Sequence, residues 1–219
     1  MTTGLRFPLV CFDLDGTLVD DTVYIWTTLH EGFGTDAAAR QRAHDDFFAQ
    51  RITYREWLAH DFQLLRAAGA TRDSMLAFID RLKPMRGAFE TLHELRRRGH
   101  RIAIVSGSLD IVVTRLFGDF PFDHVLINRI DFDDDGHITG GEHTPYDVQN
   151  KAAGLHELCR REGIAPSQAV FVGDNENDLW IAEAAGRSIA FNCKSDRLAQ
   201  LATYVVTEKD LRQVLPLIE

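Results

Sequence analysis

Two carboxylates, Asp13 and Asp15, stand two residues apart directly after an apolar run from Leu9 to Phe12. Positions i and i+2 of a strand face the same way, so we expect both acids at the carboxyl end of a buried strand. Burying like charges together is costly unless a cation joins them, so the pair calls for a positive partner. Taken by itself, the run also fits an acidic turn closed by Gly16.

Three later segments carry polar groups that suit the same site. Ser106 and Gly107 follow a strand-like run and precede a helical one. A hydroxyl and free amides there suit a phosphate oxygen, and a plain helix N-cap is the alternative. Asp174 and Asp178 follow another strand, where they suit a hard cation and the groups that orient its ligands, or cap the next helix.

Lys151 is the third of these segments. It is one of only four lysines among the 24 Lys and Arg residues, and it lies in a helical pattern that we predict to span Tyr146 to Glu162. A lysine on a helix is usually a solvated charge. A site that needs a compact positive charge beside carboxylates nevertheless has few other candidates in this chain.

The elements that must position these groups follow two patterns. After Ile102, short β-branched runs alternate with helical stretches, which predicts a doubly wound, mostly parallel α/β sheet of Rossmann-like type. The carboxyl ends of such strands converge on one crevice, which would bring the segments together. Residues 19–84 instead show helical periodicity and no convincing strand. We predict an α/β core of residues 1–18 and 85–219 with a small α-helical cap, 19–84, inserted after the first strand.

Composition narrows the classes of function. The chain has 219 residues, of which 45% are hydrophobic and 26% charged, as in ordinary globular proteins. Its net charge of −9 and its lack of long basic runs argue against nucleic acid as a partner. The three cysteines lack metal-ligand spacing, and neither a leader segment nor a long apolar run is visible. We expect a cytoplasmic protein without a membrane partner, and no feature indicates its oligomeric state.

In order and spacing, these segments resemble the motifs of the haloacid dehalogenase-like hydrolases, in particular their phosphoserine-phosphatase branch. The resemblance extends over nearly the whole chain. Its motifs are Asp13-Leu14-Asp15-Gly16-Thr17, Ser106-Gly107, Lys151, and Gly173-Asp174 through Asn177-Asp178.

The resemblance implies a Mg²⁺-dependent phosphatase that acts on a small phosphorylated metabolite. Asp13 would attack phosphorus and form an aspartyl-phosphate. Mg²⁺ would be bound by Asp13, Asp174 and the backbone carbonyl of Asp15. Because an alkoxide leaves poorly, the carboxyl of Asp15 would protonate the leaving group and then activate the hydrolytic water.

Other motif residues would hold the phosphoryl group and the substrate. Lys151 would add positive charge to Asp13 and the phosphoryl oxygens, with Asp178 orienting the lysine. The expected phosphate or substrate contacts are Leu14 and Gly107 through their amides, the Ser106 hydroxyl, Lys151 and Asn177.

Several other classes of protein fit parts of the pattern. A haloalkanoate dehalogenase would not need the second acid, Asp15, and a phosphonate hydrolase would need a cap lysine, which residues 19–82 lack. A phospho-accepting signalling domain also phosphorylates an aspartate beside Mg²⁺, but such domains are about half this length. A binding protein without catalytic activity is a further alternative, although every residue the chemistry needs is present.

The substrate depends on the cap. An ungapped alignment with the phosphoserine branch places Thr22 where a Glu would read the amino group, and Asp61 near the Arg that would pair with the carboxylate. A carboxylate there would repel that group. We therefore predict a small phosphomonoester other than phosphoserine, with an amine, hydroxyls or an aromatic part as candidate features. The alternative is phosphoserine phosphatase proper, with Arg51 or Arg55 in the role of the Arg.

A second motif matches the calcium-loop pattern of EF-hands. It comprises acids at Asp131, Asp133, Asp135 and Glu142, with Gly136 at the turn position. The flanking helices of an EF-hand are missing, because a strand-like run precedes the motif and Pro145 follows it. We favour a β-hairpin from Phe132 to Thr139 with an Asp-Gly turn over structural calcium.

Overall fold

Strands and helices alternate along most of the chain. The computed structural model describes residues 4–118, 120–148 and 150–219. The strands of this part are β1 (Leu9–Phe12), β2 (Val19–Asp20), β3 (Lys83–Pro84), β4 (Arg101–Leu109), β5 (His124–Phe132), β6 (Ile138–Glu142), β7 (Ala169–Gly173), β8 (Arg187–Phe191) and β9 (Tyr204–Val206). Its α-helices are α1 (Ile25–Phe33), α2 (Ala37–Phe48), α3 (Tyr54–Ala67), α4 (Arg72–Ile79), α5 (Ala88–Arg98), α6 (Asp110–Phe117), α7 (Lys151–Glu162), α8 (Leu179–Ala184) and α9 (Asp196–Leu201).

A seven-stranded sheet of order β6-β5-β4-β1-β7-β8-β9 forms the centre of the molecule. β1 pairs in parallel with β4 on one side and with β7 on the other. The order of strands along the chain therefore reverses at β1, where open α/β sheets bind their ligands. Only the edge pair, β5 and β6, is antiparallel among these strands. The predicted doubly wound, mostly parallel fold is confirmed.

Both faces of this sheet are covered, which explains the uninterrupted apolar run of β1. Val10 and Phe12 point into one hydrophobic cluster, which also contains residues of α5 and α6. Leu9 and Cys11 point into a second cluster with residues of α7, α8 and α9. A strand buried on both faces has no solvated position to interrupt its apolar sequence.

The helices α1–α4, which we call the cap helices, lie between two short strands that pair with each other. β2 and β3 are antiparallel, with Val19 opposite Pro84. The sequence did not indicate these strands, because two-residue strands carry no periodic pattern. α3 begins at Tyr54 because Thr53 and Glu56 form a capping box, in which each side chain accepts a hydrogen bond from the other's backbone amide.

The helix predicted to span Tyr146 to Glu162 is shorter in the structure. α7 begins at Lys151, not at Tyr146. Val148 has a φ of 50°, a left-handed conformation that a β-branched residue rarely adopts and that an α-helix cannot include. The last segment of the chain forms a 3-10 helix, Leu211–Leu217. No helix of the described residues combines the length and apolarity needed to cross a membrane.

The acidic segment after β5 forms the expected hairpin. β5 and β6 pair with Phe132 opposite Ile138. Asp133 accepts a hydrogen bond from the amide of His137 at 2.8 Å, and Asp131 pairs with Arg129 at 3.0 Å. Two acids of the calcium pattern are therefore already engaged within the hairpin. Among the described residues, a convergent group of potential metal ligands occurs elsewhere, at Asp13.

Candidate active site

Asp13 and Asp15 lie at the carboxyl end of β1, where both are buried. The amide of Asp13 donates to the carbonyl of Val172 in the neighbouring strand β7, so β7 fixes the start of the turn. Gly16 follows with a φ of 79°, and a Cβ there would collide with the carboxylate of Asp174. The turn therefore needs glycine for both its conformation and its close approach.

Lys151 connects the two acidic motifs. Its Nζ donates to Asp13 Oδ1 and to Asp178 Oδ1, each at 2.7 Å, and its side chain is fully buried. Burial alone would lower the pKa of Lys151, but the charges of Asp13 and Asp178 outweigh it and raise the pKa above its usual value. The lysine is thus a fixed positive charge beside Asp13.

Both carboxylate oxygens of Asp178 accept hydrogen bonds. While Oδ1 accepts from Lys151, Oδ2 accepts from the amides of Asp174 and Asn175 at 2.9 and 3.3 Å. A carboxylate with this many donors has little capacity left for a metal ion. Its geometry suits the orientation of Lys151 and of the loop that carries Asp174.

The carboxylates of Asp13, Asp174 and Asp178 can place ligand atoms within 4.8 Å of one another. Oδ1 of Asp174 is buried and has no hydrogen-bond partner among the described residues. An unpaired buried carboxylate oxygen beside a second carboxylate fits a hard divalent cation. The donor set therefore fits the predicted metal.

Lys194 is a site residue that the sequence analysis missed. It follows β8, and its ammonium pairs with Oδ2 of Asp174. The scarcity of lysine in the chain was a signal that could have found it.

Asp15 connects the core to the cap helices. Its Oδ2 accepts from the amide of Ile25 at 2.7 Å, and its Oδ1 accepts from the hydroxyl of Ser108 at 2.9 Å. Burial raises the pKa of Asp15 to about 7, although these two hydrogen bonds oppose the shift. A carboxyl with such a pKa can both give and take a proton near neutral pH. Ser108 was not singled out from the sequence.

Ser106 and Gly107 lie in β4, and the N-cap alternative for Ser106 is wrong. β4 continues to Leu109, which is itself the N-cap of α6. Ser106 is buried at the cavity described next. A Cβ on Gly107 would collide with the carboxylate of Asp147, so a larger residue would require that side chain to move.

A cavity of about 330 Å³ opens over these residues. Its inner end carries Asp13, Asp15, Ser106, Gly107 and Asn177. The buried Oδ1 of Asn177 has no hydrogen-bond partner among the described residues. Leu14, between the two acids, turns its side chain into the core. The outer wall comes from the cap helices and is largely aromatic, with Trp26, Phe48, Tyr54 and Trp57, beside Thr27, Arg40, His44, Leu58 and Asp61.

The predicted cap arginines are not part of this wall. Arg51 is exposed and pairs with Asp46 at 2.6 Å, and Arg55 is exposed in the first turn of α3. The arginine that lines the cavity is Arg40, which the sequence analysis did not single out. An ungapped alignment could not find it, because the rotation of α2 about its axis decides which side chains face the cavity. Asp61 does line the cavity, as its place in that alignment suggested.

Hydrogen bonds connect the cap helices to Gly107 and to Asp147. The hydroxyl of Tyr54 donates to Asp147 at 2.5 Å and accepts from the amide of Asn128 at 2.9 Å. The carbonyl of Gly107 accepts from the same Asn128 amide and from the indole of Trp26, at 2.7 and 2.9 Å. Sequence reasoning missed this network, because its members lie far apart along the chain.

Replacing Tyr54 with Phe should lower kcat/KM about tenfold and the Tm by a few degrees, because Asp147 and Asn128 lose a partner. Steady-state kinetics and thermal melts measure both effects. Tyr204→Phe, which removes a hydroxyl far from the cavity, is the matched control. Equal behaviour of the two variants would show that the Tyr54 hydroxyl does not hold the site in place.

Comparisons with known proteins identify the family of the chain. The family model of the haloacid dehalogenase-like hydrolases matches residues 10–183. A phosphoserine phosphatase of Methanocaldococcus jannaschii is 29% identical over 212 residues, which cover 96% of this chain and 97% of that protein. One of Archaeoglobus fulgidus is 30% identical over 187 residues, covering 85% of this chain and 53% of that protein. A solved structure, a phospho-aspartyl intermediate analogue of phosphoserine phosphatase, has a TM-score of 0.76 at 27% identity and covers 97% of this chain and 99% of that one.

The chain belongs to the haloacid dehalogenase-like hydrolase family, because the family model matches most of its length. Its relatives place it in the phosphoserine-phosphatase-like branch, as the motifs predicted. It is a phosphoric monoester hydrolase. This result favours an enzyme over the signalling domain and the inactive binding protein considered above.

Proposed function

We propose that the chain is a Mg²⁺-dependent phosphatase that transfers the phosphoryl group of a small phosphomonoester to Asp13 and then to water. The observation that carries this proposal is the buried Lys151, which pairs with Asp13 and Asp178 beneath a cavity that also contains Asp15 and Ser106. A phosphate dianion repels a carboxylate nucleophile, so attack needs fixed positive charge at this place.

The two acids that follow β1, Asp13 and Asp15, have different roles in the reaction. Asp13 attacks phosphorus, and the bond from phosphorus to the leaving oxygen breaks as the aspartyl-phosphate forms. Asp15 gives its proton to that oxygen and then takes one from the water that hydrolyses the aspartyl-phosphate. Asp13, Asp174 and the carbonyl of Asp15 would hold Mg²⁺, which would neutralise charge on the phosphoryl oxygens. The Ser106 hydroxyl, the Gly107 amide and Asn177 would contact the same group.

The domain division supports this mechanism. We propose residues 1–18 and 85–219 as the catalytic core and 19–84 as the cap, because β2 and β3 pair where the chain passes between them. The amide of Ile25, at the start of the first cap helix, donates a hydrogen bond to Asp15. The position of the cap thus orients the proton donor.

For the substrate, we propose phosphoserine. The relatives with that activity in their names cover nearly the whole chain, and they support this choice better than the prediction of a different ester. Another small phosphomonoester is the second candidate, because Thr22 hydrogen-bonds to Thr28 and Arg51 and Arg55 lie outside the cavity. Location in the cytoplasm and the absence of a nucleic-acid partner stay predictions.

A screen of phosphorylated metabolites with Mg²⁺ tests the proposal. We expect hydrolysis that stops when EDTA removes the metal and resumes when Mg²⁺ is added, with O-phosphoserine giving the highest kcat/KM. Hydrolysis that EDTA leaves unchanged would contradict the metal assignment. A tenfold higher kcat/KM for another ester, about 1.4 kcal/mol in transition-state binding, would favour the second candidate.

A further inference from the structure

The outer end of the cavity holds two charged side chains that the chemistry at Asp13 does not use. Arg40 comes from α2 and Asp61 from α3, and both line the cavity. The leaving group of a substrate whose phosphate sits at Asp13 would lie against this wall. The charges of Arg40 and Asp61 therefore face the part of the substrate that distinguishes one phosphomonoester from another.

Arg40 has a guanidinium that is available to an anion. It donates to the hydroxyl of Thr27 at 3.2 Å, and no carboxylate lies within ion-pair distance of it in the part of the chain that the structure describes. His44, the other basic side chain of the wall, is already paired with Asp45. Trp57 adds a second donor, because its buried Nε1–H has no partner among the described residues. A carboxylate placed here would gain a charge-assisted hydrogen bond.

Asp61 is a buried carboxylate whose Oδ1 has an ion-pair contact but no hydrogen bond among the described residues. It is 5% exposed, and its nearest basic group is Nε2 of His30 at 3.4 Å. Its Oδ1 accepts no hydrogen bond from any described residue. The other carboxylates of the cavity already accept hydrogen bonds from protein groups. Because a buried carboxylate oxygen without a hydrogen bond is costly, Asp61 favours a cationic ligand group in addition to its contact with His30.

The aromatic wall supports a cation at the same end. Tyr54, Trp57 and Asp61 are spaced three and four residues apart on α3, so they share the face that lines the cavity. Trp26 of α1 adds a second indole. Aromatic faces attract ammonium groups, and the attraction grows where water is excluded.

We propose that Asp61 binds the ammonium group and Arg40 binds the carboxylate of a zwitterionic phosphomonoester. This inference rests on the proposed function and names the two residues that select its substrate. It also replaces the expectation that Asp61 repels such a substrate, because the carboxylate is bound by a different helix. Neutral sugar phosphates would leave both charges without a partner.

The unmodified enzyme provides the first test. Its kcat/KM is measured with four esters at saturating Mg²⁺: O-phosphoserine, phosphoethanolamine without the carboxylate, phosphoglycolate without the ammonium, and phenyl phosphate without either. We expect O-phosphoserine to exceed phosphoethanolamine and phosphoglycolate by about tenfold or more each, the typical effect of one charge-assisted contact. Phosphoethanolamine turned over as well as O-phosphoserine would overturn the role of Arg40. Phosphoglycolate turned over as well would overturn that of Asp61.

Two variants assign the residues. Arg40→Gln should raise KM about tenfold or more for the two carboxylate esters and change phosphoethanolamine less than about threefold. Asp61→Asn should affect the two ammonium esters and spare phosphoglycolate. Arg42→Gln and Asp73→Asn, which alter exposed positions of α2 and α4, are the matched controls and should retain the selectivity of the unmodified enzyme.

The outcomes separate this inference from the proposed function. An unmodified enzyme that hydrolyses no ester, phenyl phosphate included, would contradict the phosphatase itself. Hydrolysis of all four esters at similar kcat/KM would leave the phosphatase standing and refute the zwitterion site. An equal loss on all esters in either variant would assign that residue to the structure of the cap and not to selectivity.

Discussion

Replacing Asp13 with Asn should reduce hydrolysis at saturating Mg²⁺ by at least about 10⁴-fold, as is typical when a nucleophile is removed. The carboxamide can still accept the hydrogen bond that Lys151 gives to Oδ1, so the neighbourhood of the site is preserved. It is a poor nucleophile, however, and cannot form the acyl-phosphate. The measurement is turnover of phenyl phosphate, together with mass spectrometry of enzyme quenched during turnover.

Two further observations make this prediction decisive. The unmodified enzyme should carry a phosphoryl group that acid quenching traps, and the Asn variant should not. Asp13→Ala serves as a second variant, because slow deamidation of Asn would restore activity only in the first. Undiminished turnover in both variants, with unchanged melting curves, would refute the covalent mechanism.

Replacing Asp15 with Asn should slow the hydrolysis of alkyl phosphates by about 10²–10⁴-fold, the usual contribution of a general acid. The substitution preserves geometry: the amide oxygen can accept from Ile25, and the amide nitrogen can donate to the hydroxyl of Ser108, whose proton rotates away. Binding of Mg²⁺ should be retained, because only the backbone carbonyl of Asp15 would contact the metal.

The leaving group separates the two functions of Asp15. The leaving group of p-nitrophenyl phosphate needs little protonation, so the variant should still form the aspartyl-phosphate quickly. Hydrolysis of the aspartyl-phosphate should be slow, because it lacks the base that activates water. The variant should then release about one equivalent of nitrophenol in a burst and accumulate phosphoenzyme. A uniform loss for alkyl and nitrophenyl esters, without a burst, would contradict this assignment, as would complete loss of Mg²⁺ binding measured by calorimetry.

The structure also shows why a buried lysine is tolerated here. Lys151 has no solvent contact, yet its two carboxylate partners keep it charged. Burying charged groups is costly even when they are paired, and removing one partner leaves the remaining charge uncompensated. We therefore interpret the cluster of Asp13, Lys151 and Asp178 as a means of holding a positive charge at the site. It is not a source of stability.

The amino-acid sequence was sufficient to predict the α/β core of the chain. Asp13, Asp15 and Asp174 could be placed because each follows a short apolar strand, and strand periodicity and parallel topology bring such ends together. Because the strands are buried on both faces of the sheet, their sequences are apolar without interruption, and this pattern predicts the doubly wound sheet. These features depend on neighbouring residues in the chain, so a local pattern reveals them.

The residues that line the wall of the cavity could not be predicted from the sequence. Arg40 faces it while Arg51 and Arg55 do not, because the rotation of each cap helix and the loop between α2 and α3 set the direction of each side chain. The contact between Tyr54 and Asp147 joins residues 93 positions apart. No local period encodes such a pair. Catalytic residues at strand ends can therefore be predicted from the sequence. The residues that select the substrate cannot, because they depend on how the cap helices pack over the strand ends.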